Sequence, residues 1–239
     1  MALNTTVLVV GASSGIGRET ALVFARAGAK VMAAARREDR LRDLQTAAAR
    51  ENLRIEMAVA DASSGGAMQQ LARDANAALG SVEALIYAAG TNTPDRAMSR
   101  MNAKLWDEIV AVNLNGAYYI TSALLPAMRE RRRGDLIYVS SISGLMADVS
   151  GAAYQASKRG LVALAHAIRA EEKENGIRTC ALCPGLVDTE ILDKRPIKPA
   201  PELLAKALRA EDVAQLALAI VSLPPRATVP EVQILPTVL

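Results

Sequence analysis

The sequence predicts an α/β protein built on one doubly wound, mainly parallel sheet flanked by helices, and three features predict it. Short apolar, β-branched runs alternate with stretches of helical period from Thr6 to Leu235. Apolar residues make up 51% of the 239 positions and aromatics only 3%, so the core must come from Ala, Val, Leu and Ile. That composition suits parallel strands buried on both faces with helices packed close against them. No linker divides the chain, and its length lies within the range of one α/β domain, so residues 1–239 are read as a single domain.

Thr6 to Val10 is the first strand, and from Gly15 to Gly28 the apolar residues recur with helical period. Between them lies Gly11-Ala12-Ser13-Ser14-Gly15-Ile16-Gly17. Glycines there let the backbone approach a pyrophosphate, and the free N–H groups and positive dipole end of the following helix face the anion. Ala29 to Ala35 is a second strand, followed by Arg36 and Arg37 at the start of a helix that runs to about Asn52. An acid often ends this strand to hold the adenosine ribose; Ala35 supplies none, and arginine suits a 2′-phosphate, which points to NADP(H) over NAD with Arg36 as chief contact and Arg37 second. A third strand, Arg54 to Ala60, ends at Asp61, which stands where adenine would lie or else shapes a turn. Ser63 or Ser64 caps the next helix, which Gly80 stops near Leu79.

Val82 to Ala88 is the fourth strand, closed by Ala89-Gly90, small enough for a cofactor's sugar and nicotinamide to pass. A polar loop leads to a helix carrying Leu105, Ile109 and Val112, which ends near Asn113-Leu114-Asn115-Gly116. An asparagine among apolar helical residues needs hydrogen-bond partners. Helical period resumes from Gly116 through Pro126, where a bend is expected, and Trp106, Tyr118 and Tyr119 read as packing residues. Asp135 to Val139 is the fifth strand, ending in Ser140-Ser141-Ile142-Ser143-Gly144, and Tyr154 opens a long helix that Asn175-Gly176 stops. Ile177 to Cys183 is the sixth strand, leading through Pro184-Gly185-Leu186-Val187-Asp188-Thr189 into a proline-punctuated segment that reads as a lid. Residues 202 to 208 and 211 to 223 read as helices, and Glu231 to Leu235 as a last strand.

The chemistry gathers at Tyr154-Gln155-Ala156-Ser157-Lys158, where a phenol and an ammonium lie one helical turn apart on one face. An ammonium about 4 Å from a phenol, at an effective dielectric near 20, favours the phenolate by roughly 4 kcal/mol, about three pKa units. Such a tyrosine exchanges protons near neutral pH.

Other chemistries find little support. The formal charge is only +3, and Arg129-Glu130-Arg131-Arg132-Arg133 marks a helix end with no interleaved aromatics for base stacking, so no nucleic-acid partner is expected. No basic leader precedes a long apolar segment and no apolar run reaches roughly 18 residues, so no membrane partner and a cytoplasmic location are expected. Cys180 and Cys183, three apart on a strand, point to opposite faces and read as separate thiols. His166 is the only histidine, which leaves no histidine triad, and no metal site is expected.

Over essentially its whole length the sequence resembles the short-chain dehydrogenase/reductase family, through Gly11-x-x-x-Gly15-x-Gly17, Asp61, Ala89-Gly90, Asn113, Ser141, Tyr154-x-x-x-Lys158 and Pro184-Gly185. The resemblance implies a seven-stranded Rossmann-type fold and a catalytic tetrad of Asn113, Ser141, Tyr154 and Lys158. In it Tyr154 exchanges a proton with a carbonyl or alcohol oxygen, Ser141 holds that oxygen, Lys158 lowers the tyrosine pKa and bonds the nicotinamide ribose, and Asn113 positions a relay water. It further implies dinucleotide contacts from Gly11, Ser13, Ser14, Gly15, Ile16, Gly17, Ala89, Gly90, Pro184, Gly185, Val187 and Thr189, and a homodimer or homotetramer paired through residues 103 to 132 and 152 to 175. Val10 and Tyr87-Ala88 depart from the family's threonine and Asn-Asn, and Ser14 is not the basic residue of some NADP enzymes.

The function expected is NADPH-dependent, reversible reduction of a small-molecule carbonyl to an alcohol; the alternative is a non-catalytic NADP(H) sensor or scaffold. Ile142, Leu145, Met146, Val149, Ile191 and Leu192 suit a partly apolar substrate, while Lys194, Arg195 and Lys198 stand either as anion contacts or as a solvated loop.

Overall fold

The computed structural model describes residues 3–238. Thr6–Val10 (β1) leads to Gly15–Arg26 (α1), Lys30–Ala35 (β2) to Glu38–Arg50 (α2), and Ile55–Val59 (β3) to Gly65–Leu79 (α3). Ala84–Tyr87 (β4) precedes Ala103–Val110 (α4) and Gly116–Arg131 (α5), and Gly134–Val139 (β5) precedes Ala152–Glu172 (α6). Ile177–Pro184 (β6), the two-residue strands Val187–Asp188 (β7) and Leu208–Arg209 (β8), Pro201–Leu204 (α7), Ala210–Val221 (α8) and Glu231–Ile234 (β9) complete the chain.

The main sheet has seven strands in the order β3-β2-β1-β4-β5-β6-β9, every neighbouring pair parallel. After β3 the chain returns across the sheet to place β4 beside β1, and the strand order reverses there. At such a reversal the loops beyond the carboxyl ends diverge and leave a crevice. Alternation along each strand divides the core between two faces. Leu8, Leu85, Tyr87 and Tyr138 pack with Leu71, Leu124 and Leu161 of α3, α5 and α6. Val7, Val9, Ile86 and Ile137 pack with Phe24, Leu44 and Val213 of α1, α2 and α8. Cys183 joins the first cluster and Cys180 the second, so the two thiols are free, buried and on opposite faces.

Local chemistry explains most element boundaries. Ser64 caps α3 by accepting from the Ala67 N–H, and Gly80 ends it in the left-handed region at φ 84°. Arg36 and Arg37 fall outside α2: Arg37 is its N-cap, and Glu38 and Asp39 fill the first turn, where acids complement the dipole that arginines would oppose. α4 and α5 do not part at Asn113; a π-helical turn over Ala111–Asn115 carries the chain from one into the other, and α5 continues through Pro126 to Arg131. The helix expected over 202–208 ends at Leu204, because Leu208 and Arg209 pair with Val187 and Asp188 instead.

The arginines at the end of α5 are engaged with the protein itself. Arg129 pairs with Glu172, Arg131 donates to the Val82 carbonyl, Arg132 to the Glu174 carbonyl, and Arg133 lies 3.8 Å from Glu83. Tyr119 packs at the edge of the first core cluster, but Tyr118 is 55% exposed and is not a packing residue of this chain, since it lies on the face of α5 turned away from the sheet. His166 lies at the surface with Nε2 3.3 Å from Glu231.

Candidate active site

The crevice beyond β1 and β4 opens into a cleft of about 430 Å³. One end is built from the glycine turn. Gly11 has φ +92°, and a Cβ there would lie 2.4 Å from the Ala89 nitrogen; a Cβ on Gly17 would lie 2.3 Å from the Gly11 oxygen. Gly15 has φ +52°. Gly11 and Gly17 admit only glycine without displacing backbone, while Gly15 sits in the left-handed region against the Thr189 side chain. Ser14, the N-cap of α1, makes no side-chain cap bond, so the first-turn N–H groups of a twelve-residue helix face the cleft beside Gly15, Ile16 and Gly17.

Arg36 and Arg37 line this end but differ in state. Arg37 donates to Ser13 Oγ at 3.0 Å and Ser14 Oγ at 2.8 Å and pairs with Glu190 at 3.0 Å, holding the Glu190 carboxyl below the usual carboxylate range. Arg36 is exposed on the rim and makes no side-chain hydrogen bond or ion pair among the described residues. Asp61 lines the cleft, and its Oδ1 accepts from the Ser63 N–H and hydroxyl, the turn-forming alternative for it. Pro184, Gly185, Val187 and Thr189 close the opposite wall, with Thr189 Cγ2 3.0 Å from where a Cβ on Gly15 would stand.

The middle of the cleft holds Ser141, Tyr154 and Lys158, with Ala89 and Gly90 alongside. Ser141 follows β5 by two residues; its hydroxyl donates to Ser143 Oγ at 3.1 Å and lies near enough to Tyr154 to ease ionisation of the phenol. The Lys158 ammonium reaches under the sheet edge, donating to the Val139 carbonyl at 2.8 Å, and sits 5.7 Å from the centroid of the Tyr154 ring. A Cβ on Gly90 would lie 3.3 Å from that ammonium, so glycine keeps the approach to it open.

Two expectations change here. Burial pushes the Tyr154 phenol up to about 12, with the Ser141 hydrogen bond, Arg195 and Arg96 pulling down and Asp148 adding to the rise. Burial likewise pulls Lys158 down to about 8. The phenol is not lowered by its lysine as spacing alone predicts, because burial outweighs attraction when the ammonium is bonded to Val139 rather than to the phenol. Asn113, in turn, does not line the cleft. It is fully buried, accepts from the Thr91 N–H at 2.7 Å, and donates to the Thr91 carbonyl and Ser157 Oγ at 3.0 Å each, bolting the loop after β4 to α6.

The substrate side is also redrawn. Ile142, Ile191 and Leu192 line it, whereas Leu145 packs on the core and Met146 and Val149 are 55% and 82% exposed. Lys198 pairs with Asp193 away from the cleft, while Lys194 and Arg195 face it. Arg96, Ser143 and Asp148 line it too, although nothing in their local sequence marks them.

The tyrosine at position 87 has its own task. Its hydroxyl donates to the Val112 carbonyl inside the π turn, in a slot where a Cβ on Gly116 would collide with it. We expect Tyr87→Phe to remove that bond and to lower stability by about 0.5–1.5 kcal/mol. Thermal unfolding measures this, and an unchanged Tm would show that the bond contributes nothing.

The family model for short chain dehydrogenases matches residues 5–199. The 3-oxoacyl-(acyl-carrier-protein) reductase of Thermotoga maritima is 29% identical over 220 residues, covering 90% of this chain and 89% of its own. An actinorhodin polyketide ketoreductase solved with NADPH is 26% identical with a TM-score of 0.91, covering 99% of this chain and 98% of that one. A metagenomic short-chain oxidoreductase solved in complex with NADP is 27% identical with a TM-score of 0.85 and covers 99% of both chains. With its seven parallel strands, glycine turn and Ser141, Tyr154 and Lys158 on one cleft, the chain belongs to the short chain dehydrogenase family of oxidoreductases.

Proposed function

We propose that the protein reduces a carbonyl to an alcohol with NADPH, and reversibly oxidises the alcohol. The observation that carries this reading is the convergence of Ser141, Tyr154 and Lys158 on a cleft whose other end is a helix N-terminus behind a glycine turn. The cradle fits a dinucleotide: Gly11 and Gly17 leave no room for side chains, and the uncapped first turn of α1 suits a pyrophosphate. When bound, the nicotinamide supplies a hydride. The residues of the chain supply the rest. The Ser141 hydroxyl holds the substrate oxygen, the Tyr154 hydroxyl gives it a proton, and the Lys158 ammonium holds ribose hydroxyls and offsets the charge that develops on the phenol. Asn113 acts as a positioning residue through Thr91 and Ser157.

Arg36, cationic and unpaired on the rim, supports NADP over NAD, and the cofactors named with the two solved relatives agree. Tyr118, exposed on α5, supports a homodimer or homotetramer paired through that helix. No helix of the described residues is long and apolar enough to cross a membrane.

A phenol raised to about 12 keeps its proton at neutral pH and so stands ready to donate to the substrate oxygen. Reduction should hold constant up to about pH 8 and fall above it as Lys158 loses its proton. The test is NADPH oxidation across a panel of ketones, aldehydes and oxo acids, followed by a pH profile on the best of them. Dinucleotide binding without turnover of any member would favour the sensor reading instead.

A further inference from the structure

We propose that the carbonyl substrate carries a carboxylate, gripped by Arg96 and Arg195 beside Tyr154; this rests on the reductase reading and adds the class of substrate. Arg96 belongs to the loop after β4 and is 7% exposed, yet it lines the cleft. Its Nε donates to the Thr93 carbonyl at 3.1 Å and one terminal nitrogen to the Lys194 carbonyl at 2.5 Å. The other terminal nitrogen has no hydrogen-bond partner among the described residues.

Its position is fixed from behind. Gly151 has φ +89°, and a Cβ there would lie 2.6 Å from both the Cβ and the carbonyl oxygen of Arg96, so the arginine backs directly onto the start of the helix that carries Tyr154. Asn92 ties the same loop to the Ser150 carbonyl at 3.0 Å. Arg195 lines the same wall, half-buried, and makes no side-chain hydrogen bond or ion pair among the described residues.

Two cations therefore line the cleft with the proton donor, and neither makes an ion pair among the described residues. Burial lowers the Arg96 pKa, and repulsion from Arg195 lowers it further. Asp148, the acid whose pull Arg96 feels, lies outside ion-pair distance and is committed elsewhere: its Oδ2 accepts from the Ser143 and Ser150 hydroxyls and its Oδ1 from the Ser150 N–H. Lys194 does not complete the pair of arginines. Its ammonium donates to Thr91 Oγ1 at 2.5 Å and feels Arg36 and Arg37, so it belongs with the dinucleotide end.

Like charges in a partly desolvated wall are unfavourable until an anion joins them. Guanidinium forks match a carboxylate, and both arginines line the cleft that holds Tyr154, so the anion and the reacting carbonyl share one site. Ile142, Ile191 and Leu192 leave an apolar wall for a short carbon chain. The chemistry balances as for any ketone: the carbonyl carbon gains a hydride from NADPH, the oxygen gains a proton from Tyr154, and the carboxylate leaves unaltered.

The test pairs 2-oxo, 3-oxo and 4-oxo acids with their methyl esters, which keep the carbonyl and lose the charge. With NADPH, at least one acid should exceed its ester in kcat/KM by about 10- to 100-fold, mainly through KM. Arg195→Gln breaks no bond of the fold and should bring that ratio toward one. Calorimetric titration of Tyr154→Phe loaded with NADP supplies a readout free of turnover, with the acid binding about 10-fold tighter than the ester and the difference lost in the Arg195→Gln double variant. Equal kcat/KM for acids and esters, or a preference that survives Arg195→Gln, would overturn the proposal and leave the reductase standing. Acid-selective binding through Arg195 with no reduction of any carbonyl would overturn the reductase reading, and the substrate class with it, leaving only a carboxylate-binding site.

Discussion

Tyr154→Phe should lower kcat/KM for carbonyl reduction by about 10²- to 10⁴-fold, the range that a positioned proton donor supplies. The change removes one oxygen and little else. The ring stays in place, the Lys158 ammonium remains bonded to Val139, and the glycine turn is on the far side of the cleft. Dinucleotide affinity should therefore persist, and so should the fold, since the hydroxyl that leaves is one whose charged form burial already disfavours. A variant that loses binding and turnover together would point to Tyr154 as a packing residue, and one with wild-type turnover would remove it from the chemistry.

Arg36→Ala should weaken NADPH by about 10- to 100-fold while changing NADH by no more than about twofold, because a charge-assisted bond to a 2′-phosphate exists only in the first case. Arg36 makes no ion pair or side-chain hydrogen bond among the described residues, so its loss should leave Tm unaltered. Arg37 provides the contrast. It braces Ser13 and Ser14 and reaches Glu190 on the far wall, so Arg37→Ala should disturb the turn and weaken both dinucleotides alike. Equal losses of NADPH and NADH on Arg36→Ala would contradict the assignment of the 2′-phosphate.

The features that could be read directly from the chain were those with a local signature. β1, the glycine turn and α1 carry a change of period and glycines of which two are required by backbone contact, and Tyr154 with Lys158 carries helical spacing. The parts that escaped depend on distant partners. Arg96 sits in a polar loop with no periodicity, and its burial comes from Gly151 and from Lys194, 98 residues away. The π turn at Ala111–Asn115 leaves the apolar pattern unbroken, so the extra residue in the turn is hidden until Tyr87 is seen bonding Val112. β7 and β8 have two residues each, too few for a period. The phenol shifted opposite to expectation because spacing reports a neighbour's charge and says nothing of burial.

The alternation of strands and helices thus positions a cleft, and the central claim is that hydride transfer to a carbonyl takes place within it. Reduction of the best panel substrate with NADPH deuterated at the transferable position of the nicotinamide, followed by mass analysis of the alcohol, tests that claim most directly. One deuterium is expected on the carbinol carbon from the wild-type protein, and almost no labelled product from Tyr154→Phe at the same time point. Unlabelled alcohol, or equal labelling by both proteins at equal rates, would contradict it.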